Sequence, residues 1–260
     1  MKVSKGDIVL LIGSNDEKHL VKVGDDMVRL GGRGVISSGK LLGQDFGSMV
    51  AVGSIGYQIL RPSLEDMLDT LSRKAQIILP KDGAQIIYHL DLKSGDTVIE
   101  GGIGSGAMTL MLLHSVSPGG RVITYELRQD FIKQARENIQ RAGLGDLLTI
   151  KGSDISEGID ERDVDAVVFD IPEPWMATGH AFESLKMGGN LVCYVPTFNQ
   201  LEKCTHSMRN AGFKGVRAFE TIQRRIDVGK GGTRPSFDTL GHTGFTIVGR
   251  KVLVEERRGG

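Results

Sequence analysis

The spacing of apolar residues changes near residue 60. Residues 1–60 carry short apolar runs, at positions 8–12, 20–23 and 27–30, and glycines interrupt them. Short apolar runs between tight glycine turns are typical of a small all-β unit. We therefore predict a small β-barrel-like domain over residues 1–60. A linker follows over residues 61–82, with a short helix that has Ser63 as its N-cap.

From residue 83 to residue 260, short buried-type runs alternate with amphipathic segments. The pattern predicts strands over residues 97–99, 121–125, 147–151, 164–169, 190–195, 214–220 and 244–252, and helices over residues 83–90, 130–142, 181–186 and 200–211. Strands that alternate with helices are typical of an α/β fold with a mostly parallel sheet. Such a sheet binds its ligands at the carboxyl ends of the strands.

A glycine-rich segment, Glu-Gly-Gly-Ile-Gly-Ser-Gly-Ala over residues 100–107, follows the first of these strands. Glycine lets the backbone approach a ligand closely, and the start of the next helix offers unpaired N–H groups. The segment therefore predicts a site for a nucleotide-like ligand. Glu126 ends the next strand, where a carboxylate can accept hydrogen bonds from ribose hydroxyls.

These residues alone leave two cofactors open, a nicotinamide dinucleotide and S-adenosylmethionine. The glycines at 102, 104 and 106 form a GxGxG spacing rather than GxGxxG. The tighter spacing favours a cofactor without a pyrophosphate group. Asp154, after the third strand, can accept a hydrogen bond from the amino group of an adenine.

The fourth strand is followed by Asp-Ile-Pro-Glu-Pro-Trp over residues 170–175. Its two prolines restrict the backbone just beyond the strand. Asp170 can accept a hydrogen bond from the amino group of a base and can stabilise positive charge on that base. Pro172 and Trp175 can pack against a flat ring or against the chain itself.

Charge and composition restrict the partners only in part. Lys and Arg total 32, as do Asp and Glu, which argues against binding to nucleic acid through bulk charge. A local basic cluster remains near the last strand, formed by Arg224, Arg225, Lys230 and Arg234. It is either a solvated face or a set of phosphate contacts. His242 either meets phosphate or base, or caps a turn.

Cys193 and Cys204 have no metal-binding spacing, so we expect no metal site, and the sequence leaves open whether either forms a disulfide. No apolar run reaches the length of a membrane span, and the first residues lack the core of a signal peptide. We therefore expect a cytoplasmic protein without a membrane contact.

Five segments together resemble one family, the S-adenosylmethionine-dependent tRNA (adenine-N1) methyltransferases that modify position 58 of the T-loop. They are residues 80–82 (Pro-Lys-Asp), the glycine loop, Glu126, residues 170–175 and residues 241–245 (Gly-His-Thr-Gly-Phe). The resemblance covers nearly the whole chain. It implies a Rossmann-like class I methyltransferase domain over residues 83–260, a homotetramer as in bacteria and archaea, and a tRNA substrate. Archaeal members can also act on the neighbouring position 57.

The resemblance also implies roles for individual residues. The cofactor-binding residues would be Gln85, Gly102, Ile103, Gly104, Ser105, Gly106, Ala107, Glu126, Phe131, Asp154, Ile155 and Asp170. Asp170 would also be the catalytic carboxylate. We further predict that Pro172, Trp175, Arg234 and His242 contact the substrate.

Three other functions share part of this pattern. A methyltransferase for isoaspartyl groups in proteins would share the loop and Glu126, but it gives no reason for residues 170–175 or 241–245. A non-catalytic RNA-binding subunit is disfavoured by the intact loop glycines and by Asp170. A nicotinamide dehydrogenase is disfavoured by the glycine spacing.

Overall fold

A computed structural model gives the structure of residues 1–32, 34–74, 76–229 and 231–253. Lys230, one member of the predicted basic cluster, lies outside the described residues. None of the helices in the described part of the chain is both long enough and apolar enough to cross a membrane.

The first 60 residues form the expected all-β unit. Its strands are β1 (Ile8–Gly13), β2 (Lys18–Lys22), β3 (Met27–Arg29), β4 (Val35–Ser37), β5 (Met49–Val52) and β6 (Ile55–Leu60). They form a four-stranded antiparallel sheet in the order β2-β1-β6-β5 and a separate β3-β4 pair. In β6, Tyr57 and Ile59 are buried while Gly56 and Gln58 are exposed, so one face of the sheet covers a small apolar core.

The linker contains helix α1 (Leu64–Asp69), which begins as the sequence predicts. The Ser63 hydroxyl accepts a hydrogen bond from the Asp66 N–H, and the Asp66 carboxylate accepts one from the Ser63 N–H. This reciprocal pair satisfies N–H groups that the first turn leaves unpaired. Lys18 on β2 forms ion pairs of 2.8 Å with Asp66 and 2.7 Å with Asp69, which attach the β unit to the linker.

Helix α2 (Pro80–Leu90) begins three residues earlier than the sequence predicts. Proline fits the first turn because it lacks an N–H and its φ is already helical. The boundary predicted between residues 82 and 83 therefore falls inside this helix. Ile86 and Leu90 on its buried face pack into the core of the larger unit.

The larger unit is built on a seven-stranded sheet. Its strands and helices in chain order are β7 (Thr97–Gly101), α3 (Ala107–Val116), β8 (Arg121–Tyr125), α4 (Gln129–Arg141), β9 (Leu148–Lys151), β10 (Val164–Phe169), α5 (Thr178–Ser184), β11 (Leu185–Val195), α6 (Phe198–Asn210), β12 (Lys214–Glu220), β13 (Ile226–Gly229), β14 (Gly232–Pro235) and β15 (Phe245–Arg250). The strand order is β12-β15-β11-β10-β7-β8-β9, and β15 runs antiparallel to both of its neighbours. The predicted α/β fold with a mostly parallel sheet is confirmed.

Alternate residues of the central strands enter two apolar clusters, one on each face of the sheet. Val98 and Val168 pack with α1, α2 and α3, whereas Ile99 and Phe169 pack with α5 and α6. Because helices cover both faces of the sheet, the sequences of these strands are continuous apolar runs.

Two further features differ from the expectation. Strand β11 begins at Leu185 rather than at residue 190, and the antiparallel hairpin β13-β14 was not predicted. Most residues of the hairpin are exposed, so it lacks the alternating burial that would mark strands in the sequence. Cys193 and Cys204 are both buried, and neither forms a disulfide in the described part of the chain.

Candidate functional site

A cleft of about 490 Å³ opens at the carboxyl ends of β7, β8, β9 and β10. This volume lies within the range of small-molecule sites. The residues that line it are Gln76, Gly102, Gly104, Tyr125, Glu126, Leu127, Arg128, Phe131, Ser153, Asp154, Ile155, Ser156, Asp170, Ile171, Pro172, Glu173 and Met176. A larger depression of about 720 Å³ lies between β2 and α4, away from these strand ends, and the glycine loop does not line it.

The glycine loop forms one wall of the cleft through Gly102 and Gly104. Gly102 has φ +88°, and a Cβ added there would lie 2.3 Å from the Asp170 carbonyl oxygen. Gly104 has φ +50°, and a Cβ added there would meet nothing within 4 Å. Both positions need glycine for their conformation, and the loop leaves space where a side chain would otherwise project.

The next residues of the loop are anchored to the protein rather than to the cleft. The Asn138 side chain donates hydrogen bonds to the carbonyl oxygens of Ser105, at 2.8 Å, and Ser72, at 2.9 Å. The Ser105 hydroxyl accepts one from the Lys74 N–H. Gly106, with φ +85°, caps helix α3. Ile103, Ser105, Gly106 and Ala107 are all buried and lie behind the cleft wall, so their predicted cofactor contacts stay predictions.

Two carboxylates and one aromatic ring follow β8 and β9. One oxygen of Glu126 accepts a hydrogen bond from the Arg128 N–H at 2.8 Å. One oxygen of Asp154 accepts hydrogen bonds from the N–H and the hydroxyl of Ser156. Phe131 lies on the cleft wall, with the Arg128 guanidinium carbon 3.8 Å from its ring centroid. The arrangement offers acceptors for hydroxyl or amino groups beside flat apolar surface.

Asp170 lines the cleft and directly follows β10. Its N–H donates to the Gly101 carbonyl at 2.8 Å, which fixes it beside the loop. The side chain keeps accessible surface towards the cleft, but the protein packed around it removes most of its water. This desolvation raises the pKa of Asp170 to about 6, so the carboxylate is ionised at neutral pH.

Glu100 is a second carboxyl group at this end of the sheet, and it is only 1% exposed. The Thr109 hydroxyl donates to it at 2.8 Å. Burial, with a smaller contribution from the negative charges of Asp170 and Glu126, raises the pKa of Glu100 to about 8. Glu100 is therefore a neutral acid at pH 7. Sequence reasoning gave it no role, because the pattern of the loop does not show that its side chain points into the core.

Gln85 lies on an exposed turn of α2 and does not line the cleft. Gln76, from the linker, does line it. No periodic signal marks which linker residue reaches the cleft, because this depends on the hydrogen bonds from Gln134 and Asn138 to the Ser72 carbonyl. A cofactor contact by Gln85 stays a prediction.

Of the four predicted substrate residues, only Pro172 lines the cleft. Trp175 is half-buried, with the Lys203 ammonium 4.9 Å from its ring centroid. His242 bridges Glu220, at 2.6 Å, and the Pro196 carbonyl, at 2.7 Å, and the hydrogen bond to Glu220 raises its pKa. Arg234 lies over the ring of Phe237 on the outer surface. The structure thus gives His242 a turn-bridging contact, and the substrate contacts of these residues stay predictions.

Within the described residues, no group of three or more His, Cys, Asp and Glu side chains is arranged to hold a metal ion.

Residues 57–234 match the family model described as the tRNA methyltransferase complex GCD14 subunit. The chain is 35% identical over 220 residues to an enzyme of Methanocaldococcus jannaschii, with 75% of this chain and 78% of that protein covered. That enzyme is named tRNA (adenine(57)-N(1)/adenine(58)-N(1))-methyltransferase TrmI. This chain is also 32% identical over 192 residues to the tRNA (adenine(58)-N(1))-methyltransferase TrmI of Thermus thermophilus, with 74% of this chain and 75% of that protein covered.

Two solved structures share the fold over almost the full described chain. A protein of Thermotoga maritima, described as an S-adenosylmethionine-dependent O-methyltransferase, superposes with a TM-score of 0.81 at 34% identity, covering 98% of this chain and 96% of that one. The tRNA (m1A58) methyltransferase TrmI of Aquifex aeolicus superposes with a TM-score of 0.74 at 27% identity, covering 98% and 100%.

The buried acid Glu100 makes a prediction about stability. Its pKa is raised from 4.5 to about 8 in the folded protein, so the unfolded chain loses this proton at lower pH than the native one does. The free energy of unfolding should therefore fall as pH rises from about 5 to 8, by up to about 1.4 kcal/mol per pH unit from this group alone. Glu100→Gln, which mimics the neutral acid, should lack this contribution in urea unfolding measured across that range.

The matched control is Glu65→Gln, at an exposed position in the first turn of α1. Its stability should follow the wild-type dependence on pH. If Glu100→Gln also ran parallel to wild type at every pH, Glu100 would not be a neutral acid in the native protein.

Proposed function

The chain belongs to the family of the tRNA methyltransferase complex GCD14 subunit, and on that premise we propose that it transfers a methyl group from S-adenosylmethionine to N1 of adenine 58 in the T-loop of tRNA. The observation that carries the proposal is Asp170. An ionisable carboxylate lines the same cleft as two further acceptors, Glu126 and Asp154.

The residues of the cleft fit this cofactor. The open space at Gly104 and the left-handed turns at Gly102 and Gly106 form a backbone cradle at the start of α3. Among the described residues, Glu126 has one carboxylate oxygen bonded to the Arg128 N–H, and its other oxygen remains as an acceptor for ribose hydroxyls. Asp154, the flat ring of Phe131 and the apolar side chain of Ile155 suit an adenine ring. When bound, S-adenosylmethionine supplies an electrophilic methyl group.

Asp170 acts on the acceptor base. Adenine N1 carries a lone pair, so no proton has to be removed before it attacks. The product base is a cation, and an ionised Asp170 that accepts a hydrogen bond from the N6 amino group orients the ring and opposes the growing positive charge. The ground-state base is neutral, and positive charge develops on it in the transition state. The interaction with Asp170 therefore stabilises the transition state more than the bound substrate, which lowers the barrier.

The target adenine must leave the stack of bases in the tRNA before it can react. Adenine 58 lies within a folded tRNA, so the reaction requires the base to be extruded into the site. Pro172, Glu173 and Met176 line the cleft at exposed positions beside Asp170, and we assign Pro172 to the base. Trp175, Arg234 and His242 remain proposed contacts for the surrounding RNA.

One neighbour suggests a second acceptor. The Thermotoga maritima protein is described as an O-methyltransferase, which is a different acceptor atom. A hydroxyl acceptor needs a base to remove its proton, and Asp170, with a pKa of about 6, can serve as that base at neutral pH. The preference for an acceptor nitrogen therefore rests on the relatives, which are named as adenine-N1 methyltransferases. Mapping the methylated atom separates the two reactions and also tests position 57.

We also propose a homotetramer and a cytoplasmic location. The location rests on the tRNA substrate alone. Assembly is supported by exposed apolar side chains at and after the β13-β14 hairpin, namely Ile226, Val228, Phe237 and Leu240. Exposed apolar groups of this size are typical of a surface that another chain covers.

Asp170→Asn should lower the rate of methyl transfer at least about 100-fold, because the amide has no charge to oppose the cationic base. Affinity for S-adenosylmethionine should change little. The assay is labelled S-adenosylmethionine with unmodified tRNA, followed by mapping of the methylated base, and calorimetry for the cofactor. Asp163→Asn is the control, since Asp163 precedes the same strand at its far end. Near wild-type methylation by Asp170→Asn would overturn the proposed mechanism.

The raised pKa of Asp170 predicts the acid limb of the pH profile. The reaction needs the ionised carboxylate, which is lost as pH falls through about 6. We expect kcat/KM for the cofactor to be flat above this pH and to fall about tenfold per pH unit below it. An acid limb that began only near pH 4, the range of an ordinary aspartate, would show that the surrounding protein does not raise the pKa of Asp170.

Light scattering after gel filtration should give the mass of four chains. Val228→Asp should shift the mass towards smaller species, because a charge would then be buried in the interface. Val228 is 79% exposed in the single chain, so this change should leave the folded chain intact by circular dichroism. A single-chain mass for the wild type at micromolar concentration would refute the tetramer.

A further inference from the structure

A nearly buried ion pair opens helix α2, and no step of the proposed mechanism uses it. The side chains of Lys81 and Asp82 are 8% and 1% exposed and lie 2.8 Å apart. The Lys81 ammonium also donates to the Thr243 hydroxyl at 2.7 Å and to the Thr221 carbonyl at 2.5 Å. The second oxygen of Asp82 accepts hydrogen bonds from the hydroxyls of Thr243, at 2.8 Å, and Tyr194, at 3.2 Å.

The network joins segments that are far apart in the sequence. It holds the first turn of α2, the residue after β12, the segment before β15 and the end of β11 in one place. Every donor of Lys81 and both oxygens of Asp82 have partners. A buried ion pair is expensive unless its hydrogen bonds are complete, and here they are.

Tyr194, the last member of the network, is next to Asp170 in the sheet. Strands β10 and β11 are parallel, with Phe169 opposite Cys193, so the residues that follow, Asp170 and Tyr194, are neighbours on the opposite face. The backbone of Gly244 fits closely against the tyrosine ring, since a Cβ there would lie 2.4 Å from its Cζ atom. The ring is thus held on one side by Gly244 and at its hydroxyl by Asp82.

We propose that Asp82 is a positioning residue for methyl transfer: with Lys81 and Thr243 it fixes the Tyr194 hydroxyl, and thereby the wall of the site beside Asp170 on the side away from the cofactor cleft. This inference rests on the proposed function. Glu126 and the glycine loop lie on one side of Asp170, and Tyr194 lies on the other. The acceptor base therefore has to fit between Asp170 and a wall whose position the ion pair determines.

The chain offers a matched control for a purely structural role. Asp66 is also the third residue of a helix, also pairs with a lysine, Lys18, and also bonds a hydroxyl, that of Ser63. It lies on the linker helix and touches none of the residues around Asp170. Asp66→Asn should therefore lower the melting temperature and leave kcat unchanged.

The test uses Asp82→Asn, Tyr194→Phe and the double variant in the full chain. The wild-type product is mapped first: absence of N1-methyladenine would refute the proposed function, and the variants would then be measured on whichever acceptor is methylated. Steady-state kcat is measured with saturating tRNA and cofactor. We expect each single variant to lower kcat about 10- to 100-fold, the effect of a small misplacement of reacting groups. Affinity for S-adenosylmethionine should stay within about twofold.

The double variant separates positioning from stability. If Asp82 acts through the Tyr194 hydroxyl, the double variant loses no more rate than the worse single variant. Tyr194→Phe keeps the ring and its packing, so it tests the inference even if Asp82→Asn does not fold. An unchanged kcat in Tyr194→Phe would overturn the inference. So would rate losses in the two single variants that multiply in the double variant.

Discussion

The site depends on how closely two backbones approach each other at the carboxyl end of the sheet. Gly102 lies against the Asp170 carbonyl, where a Cβ would be only 2.3 Å from the oxygen, and the Asp170 N–H bonds to the Gly101 carbonyl. This contact brings the wall of the cofactor cleft and the carboxylate that faces the acceptor into one rigid unit. A side chain at residue 102 would separate them, and α3 and the loop would have to move with it.

Two carboxyl groups near this contact differ in charge because their surroundings differ. Glu100 has almost no contact with solvent and stays neutral, so the sheet gains no second negative charge beneath the loop. Asp170 opens onto the cleft and ionises near neutrality. Glu100 lies under the loop as a neutral acid, and Asp170 lies at its edge as an anion. Of these two groups, only Asp170 carries a negative charge, and it lies where positive charge develops on the base. Burial is the variable that assigns the two roles.

The sequence predicts the parts of this site that are local. A strand, a glycine turn and an acidic strand end are each short patterns, and five residues chosen from them line one cleft, namely Gly102, Gly104, Glu126, Asp154 and Asp170. What the sequence does not reveal depends on distant contacts. Gln76 rather than Gln85 lines the cleft because Asn138 donates a hydrogen bond to the Ser72 carbonyl of the linker. The hydrogen bond from Tyr194 to Asp82 joins residues that are 112 positions apart. The β13-β14 hairpin escapes prediction because it has no buried face.

The position of β15 has a consequence for how the protein is made. This strand lies between β11 and β12, although it is synthesised after both. The sheet cannot reach its final order until residues 245–250 have left the ribosome, and Thr243 and Gly244 arrive at Tyr194 with them. The glycine loop, Glu126 and Asp170 come from strands translated earlier. A nascent chain can therefore form the cofactor half of the site before the acceptor half, and the two halves join only when the last strand is inserted.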